Sequence, residues 1–125
     1  MRILVVDGAN VVGCVPDGWW RDRPGAAARL HEGLTRTPLP YDAVVLVLEG
    51  QARRGVPAGP DEGVTTVHAT GSGDDEIVDR CRDLAADGSD VTVASADLGL
   101  LARLEPFAVT ALGPRALRDR LVTEP

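Results

Sequence analysis

Four short stretches of this chain put acids where apolar runs stop. VVDGAN closes the run Ile3, Leu4, Val5, Val6 with Asp7, and Asn10 follows three residues on. LVLEG ends a second run in Glu49, GSGDDE sets Asp74, Asp75 and Glu76 at the head of a helical pattern, and VASAD leads through Ser95 to Asp97. Carboxylates gathered in one place repel and raise one another's pKa unless a cation neutralises them. Oxygen donors of this kind suit a hard divalent ion, Mg²⁺ or Mn²⁺. Such a set could serve phosphodiester hydrolysis, which needs a deprotonated water in line with the scissile bond and charge relief at the leaving oxygen. Two metals ~3.5–4 Å apart supply both.

Each acid also has a plainer reading. Ser72-x-x-Asp75 has the spacing of a capping box, and acids in a first helical turn gain ~0.3–1 kcal/mol from the helix dipole alone. Asp97 could N-cap the helix that follows it. Glu49-Gly50 could be an ordinary strand exit. Asp7 is harder to dismiss, because an aspartate continuing a buried strand must find partners or a metal. The signal is the coincidence of all these acids rather than any one of them.

That coincidence requires elements that bring the four stretches together. Short β-branched runs predict buried strands at Arg2–Asp7, Ala43–Leu48, Val64–His68, Val91–Ser95 and Ala108–Leu112, as in a parallel sheet covered on both faces. Helical patterns lie between several of them. Arg23–Arg36 has Asp22 as its N-cap and Pro24 in its first turn, and Asp74–Ala86 puts Ile77, Val78, Cys81, Leu84 and Ala85 on one face. Leu98–Leu104 and Arg115–Val122 are shorter. Pro38, Pro40, Pro57 and Pro60 mark loops. The expected fold is therefore α/β: a three-layer α/β/α sandwich around a central, mostly parallel five-stranded sheet. Ligands of such sheets bind beyond the carboxyl ends of the strands, which is where the acids fall.

Composition narrows the classes further. At 125 residues, 44% of them hydrophobic, the chain is read as one domain, residues 1–125. The first apolar run is short and cut by Asp7, and no stretch approaches a membrane span, so a cytoplasmic protein is expected. Cys14 and Cys81 imply no disulfide framework. With His31, which falls within a helix, and His68, at a strand end, they lack the paired spacing of a zinc site. Net charge is −6 and every basic residue is arginine. An acidic chain is a poor general sponge for nucleic acid, which leaves a local site where a few arginines hold phosphates with their planar forks.

VDGAN after the first strand, GDDEI opening a helix and SADLGLL after a later strand resemble, in order, the acidic motifs of the PIN-like nucleases. The likeness is greatest to their NYN branch, whose first motif reads Asp-Gly-x-Asn. It covers essentially the whole chain, including AVTALGPRALRDRL near its end. The resemblance implies a metal-dependent ribonuclease, an endoribonuclease leaving 5′-phosphate and 3′-hydroxyl ends, with Asp7, Asp75 and Asp97 as ligands of Mg²⁺ or Mn²⁺. Asp74 or Glu76 would replace or assist Asp75, and Glu49 is a weaker match to an acid ending the second strand in some relatives. Asn10 would orient the first-strand loop or touch metal-bound water, and Gly8 would permit a sharp turn after Asp7. Where this chain has Leu98, relatives often carry a basic or polar residue.

The expected partner is RNA, single-stranded, with no membrane involved; a homodimer or a protein regulator is left open. Candidate substrate contacts are Arg21, Arg53, Arg54, Arg115, Trp19 and Ser95. Arg115 follows Gly113-Pro114 at a helix start. Trp19 and Trp20 in PDGWWRDR read either as a stacking platform beside Arg21 and Arg23 or as a lid packed on the core. Two other readings stay open: a metal- and RNA-binding module with little turnover, and a PIN-type toxin held by an antitoxin, for which no leucine-rich clamp surface is evident. Rival phosphate enzymes lack specific residues. A dehalogenase-type phosphatase needs a second aspartate at Ala9, and a receiver domain needs a lysine, of which this chain has none.

Overall fold

A computed structural model describes residues 1–122. In chain order its strands are β1 (Arg2–Asp7), β2 (Ala43–Leu48), β3 (Gly59–Asp61), β4 (Val64–His68), β5 (Asp90–Ala94) and β6 (Thr110–Leu112). The helices are α1 (Gly8–Gly13), α2 (Arg23–Arg36), α3 (Gly73–Ala86), α4 (Leu98–Leu104) and α5 (Pro114–Arg120). Short 3₁₀ turns lie at Trp19–Arg21, Gly50–Gly55 and Glu105–Phe107.

The sheet has six strands in the order β3-β4-β2-β1-β5-β6, and four of its five pairings are parallel. The expected five-stranded sheet is thus corrected to a mixed one of six. The added strand, β3, pairs antiparallel with β4 and contains Pro60, which sequence reading assigns to a loop. Proline cannot donate to a ladder and is tolerated on an edge, where β3 lies.

Alternation along the central strands builds two cores. Leu4 and Val6 of β1, with Leu46 and Leu48 of β2, face a layer of α1, α2 and α5, packing against Val11, Ala27, Leu30 and Leu117. Ile3 and Val5 face the other way with Val47, Val91 and Val93, against Ile77 and Cys81 of α3 and Leu100 and Leu104 of α4. Full burial of each such side chain stabilises by ~1.5–3 kcal/mol, which makes β1 the rigid spine of the molecule. The free thiol of Cys81 belongs to this packing, and burial pushes it up to about 12. Among the described residues no helix is long and apolar enough to cross a membrane.

The departure that matters most is α1, which occupies the stretch read as a loop. GANVVG is a poor helix by propensity, with two glycines and two valines in six residues. Tertiary context makes it one. Asp7 caps its start by accepting from the Asn10 amide at 3.4 Å, and Val11 and Val12 have a core to enter. Arg118 of α5 donates to the Val11 carbonyl at 3.2 Å, reinforcing a terminal acceptor that otherwise takes only the long 3.5 Å bond from the Cys14 amide.

Candidate active site

Alternation turns Asp7 toward the face that α3 and α4 cover, at the carboxyl edge of the sheet. Only 5% of it is exposed. One carboxylate oxygen accepts from the Asn10 amide and the other from the Ser95 hydroxyl at 2.8 Å. Burial nevertheless pushes its pKa up, against the lowering effect of those two bonds, and the charges of Asp74 and Glu49 push it further. Asp74, at the head of α3, is raised as well: by burial first, then by Asp97 and Glu49, with Arg103 opposing and Asp75 adding a little. Asp7, Glu49, Asp74 and Asp97 therefore share one electrostatic neighbourhood, supplied by β1, the exit of β2, α3 and the exit of β5.

Two glycines set how closely these pieces approach. A Cβ on Gly8 would lie 2.6 Å from the Val47 carbonyl oxygen and 2.8 Å from Leu48, so only glycine lets α1 start against β2. Gly8 lies outside the positive-φ region; room, not a special turn, is what it provides. A Cβ on Gly73 would lie 2.9 Å from Oε1 of Glu49, which places that carboxylate directly against the first turn of α3.

Ser95 and Asn10 tie the strands' exits together. The Ser95 hydroxyl donates to Asp7 and accepts the Asp97 amide at 3.1 Å. The Asn10 side-chain oxygen accepts the Ala96 amide at 2.9 Å, joining α1 to the loop before α4. Asn10 thus orients the loops, one of the two roles considered for it, and Ser95 is spent on the acids rather than facing outward. Asp97 N-caps α4, accepting from Leu100 at 3.1 Å through one oxygen. Capping and membership of the acidic group coexist, since each carboxylate keeps further lone pairs.

The GDDE stretch divides its labour. Ser72 caps α3 by accepting from the Asp74 amide. Asp74 faces the other acids, whereas Asp75 is exposed and bound to Arg103 at 2.9 Å, and Glu76 pairs with Arg80 along the helix at 3.6 Å. The structure thus brings together Asp7, Glu49, Asp74 and Asp97 and leaves Asp75 and Glu76 outside. A helix turn separates neighbours by about 100°, so three consecutive acids cannot share a direction; which one faces in depends on packing that local spacing does not reveal.

The oxygen donors fit a hard divalent cation in kind, and their mutual raising of pKa is the imbalance a cation would relieve. Among the described residues, however, no three His, Cys, Asp or Glu side chains converge closely enough to hold an ion as they stand.

The other candidates are spread along the same edge. Trp19 is partly buried against the core, with Arg23 over its ring at 5.0 Å and Trp20 edge-on at 5.8 Å. Trp20 is 49% exposed with Arg21 over its ring, so the lid is Trp19 and the open ring is Trp20. Arg53 and Arg54 lie in the 3₁₀ turn after Glu49, and Arg115 begins α5 on the opposite flank. His68, read as structural, lines the same cleft as Arg53 and Arg54. Its position at the end of a strand beside Glu49's own was the available clue.

No protein-family model matches the chain, and no curated protein matches it. Among solved structures, the fold is similar to that of Rae1 (YacP) from Bacillus subtilis, with a TM-score of 0.74 over 95% of this chain and 74% of that one, at 20% identity.

Proposed function

We propose that this protein is a metal-dependent hydrolase of phosphodiester bonds acting on RNA, of the PIN-like type its acidic motifs resemble. The observation that carries this reading is Asp7. A nearly buried carboxylate with a raised pKa, among three further acids and with no arginine paired to it among the described residues, is costly to keep unless a cation or substrate chemistry uses it. Asp7, Asp74 and Asp97 would hold Mg²⁺ or Mn²⁺, with Glu49 assisting. Such an ion would activate a water and offset charge on the leaving oxygen. The chain's own contribution is to fix the acids. Ser95 and the Asn10 amide orient Asp7, Asn10 holds the loop that carries Asp97, and Gly8 and Gly73 set the approach of α1 and Glu49.

A second reading, a binding module with little turnover, is favoured by the absence of a converged donor set among the described residues. Cleavage of single-stranded RNA with Mn²⁺ by wild type, Asp7→Asn and Asp97→Asn separates the two. Hydrolysis is expected for wild type, with a loss of at least ~100-fold in each variant, the scale of removing a group aimed at the reacting charge. Equal rates in all three would sink the nuclease reading.

A further inference from the structure

The acids of the carboxyl edge have a cation beside them, and it is a side chain. Arg103 lies in the last turn of α4, where the helix dipole favours a cation wherever it points. Its direction is the informative part. Leu100 and Leu104, fully buried in the core they share with Ile77 and Cys81 of α3, fix the rotation of α4. Helical side chains tilt toward the N-terminus of their helix, and α4 begins at Asp97, one of the acids. Arg103 therefore reaches back along α4 toward the edge, where its Nη2 donates at 2.9 Å to Oδ1 of Asp75 in the first turn of α3. Arg80 and Arg82 instead find their acids nearby on α3 itself, Glu76 and Asp79.

The contact is built to be exchanged. One nitrogen meets one oxygen, rather than the two-point fork that guanidinium and carboxylate can form. The side chains are 47% and 67% exposed, and pairs so placed are weak and screened by salt. Yet the charge acts beyond Asp75. Asp74, the neighbour that faces the other acids, feels the like charges of Asp97 and Glu49 and, opposing them, the charge of Arg103. Arg103 thus supplies part of the neutralisation that a bound cation would bring. A single charge, tethered and loosely held, yields to a divalent ion, whose attraction to the same acids is doubled.

We propose that Arg103 is a built-in competitor for the metal: it neutralises the acidic edge while no metal is bound, and its charge must be overcome when a divalent cation enters. This rests on the metal site of the proposed hydrolase and adds a regulation to it. Arg103 raises the metal concentration at which the acids fill, and so sets a threshold for activity.

The test is metal binding without RNA, so that it does not depend on cleavage. Isothermal titration with Mn²⁺ at low salt would compare wild type with Arg103→Gln, Arg103→Met, Arg103→Lys and Arg80→Gln, with the melting temperature of each recorded in EDTA. Both neutral variants of Arg103 are expected to bind Mn²⁺ ~3–10-fold more tightly, the scale of one like charge removed from beside a solvated ion. In EDTA they should melt at or slightly below the wild-type temperature. Those opposite signs separate a competitor from a merely structural contact, whose loss would weaken the site or leave it unchanged. Arg103→Lys keeps the charge and should stay within ~2-fold of wild type, while Arg80→Gln, which removes an equal charge one turn further along α3, should gain less than ~2-fold. The gain in the neutral variants should shrink as salt rises. Wild-type or weaker affinity in both neutral variants, or an equal gain in Arg103→Lys or Arg80→Gln, would overturn the proposal. Failure of the two proposals is distinguishable. Tighter Mn²⁺ binding in the neutral variants without any RNA cleavage removes the hydrolase and keeps the competitor. Asp7-dependent cleavage with Mn²⁺ affinity indifferent to Arg103 does the reverse, and no Mn²⁺ binding by any of the proteins at millimolar metal removes both.

Discussion

The two ends of the sheet treat charge in opposite ways. At the amino end, Arg2 meets acids and an aromatic ring: its amide donates to Asp42 at 2.6 Å, its guanidinium lies 4.0 Å from Asp90 and sits over Tyr41. Arg2 and Asp90 are opposite charges facing each other in open solvent. At the carboxyl end, Asp7, Glu49, Asp74 and Asp97 share one neighbourhood, and two of them have raised pKa values. One end is arranged as folding alone would arrange it. The other holds like charges together and buries one of them, an arrangement that opposes folding and needs a second reason.

The largest expected effect breaks the symmetry of that comparison with an ion. Mn²⁺ at one hundred times its dissociation constant should stabilise wild type by ~2.7 kcal/mol, visible as a rise in melting temperature. Asp7→Asn should show little of it. A wild-type protein indifferent to millimolar Mn²⁺ would reduce the carboxyl edge to caps and unrelieved repulsion.

Next is the backbone that makes the edge. Gly8→Ala sets a methyl against the Val47 carbonyl and Leu48. Because one contact is backbone, the start of α1 must shift, at a cost of ~1–3 kcal/mol by analogy with overpacked cores. Asp7 and Asn10 would move with it. Chemical denaturation should therefore record the loss, and cleavage should fall beyond what the unfolded fraction explains.

Much of this edge was legible in the sequence. Buried parallel strands announce themselves as short β-branched runs, and such sheets present their exits to one side, so Asp7, Glu49 and Asp97 could be placed together before any coordinates. Two kinds of feature could not. Gly8–Gly13 is helical against its own propensity, because Asp7 caps it and Val11 and Val12 find a core; only tertiary contacts decide that. Asp75 was the member of its triplet that the nuclease motif selects. Arg103, from a helix 28 residues on, holds Asp75 at the surface while Asp74 faces the acids. The short strand β3 escaped notice because Gly59 and Pro60 read as a loop, and only an edge position lets them pair.

A smaller effect concerns stability and pH. Since the folded pKa of Asp7 is raised, the folded state holds its proton more tightly than the unfolded chain does. Its ionisation then works against folding, from the ordinary value of 3.8 upward until the raised pKa is passed. Asp7→Asn, which can still accept from Ser95, should match wild type in acid and become the more stable protein as pH rises through that window. A gain at neutral pH is expected, read from denaturation at several pH values without metal. A variant less stable than wild type at neutral pH would mean that Asp7 is held for its hydrogen bonds, not despite its charge.

The smallest effect belongs to the other end and supplies the control. Arg2→Ala removes an exposed, widely spaced pair with Asp90 and a cation–π contact, while the backbone amide that binds Asp42 remains. Exposed pairs of this kind contribute ~0–1 kcal/mol and are screened by salt. A loss of a few tenths of a kcal/mol at low ionic strength, vanishing in high salt and leaving RNA cleavage unchanged, is therefore expected. The sign is opposite to that of Asp7→Asn, since one substitution removes an attraction and the other a repulsion. If Arg2→Ala instead lowered cleavage as Asp7→Asn does, the strands would be transmitting charge effects from end to end, and the two edges could no longer be treated as separate.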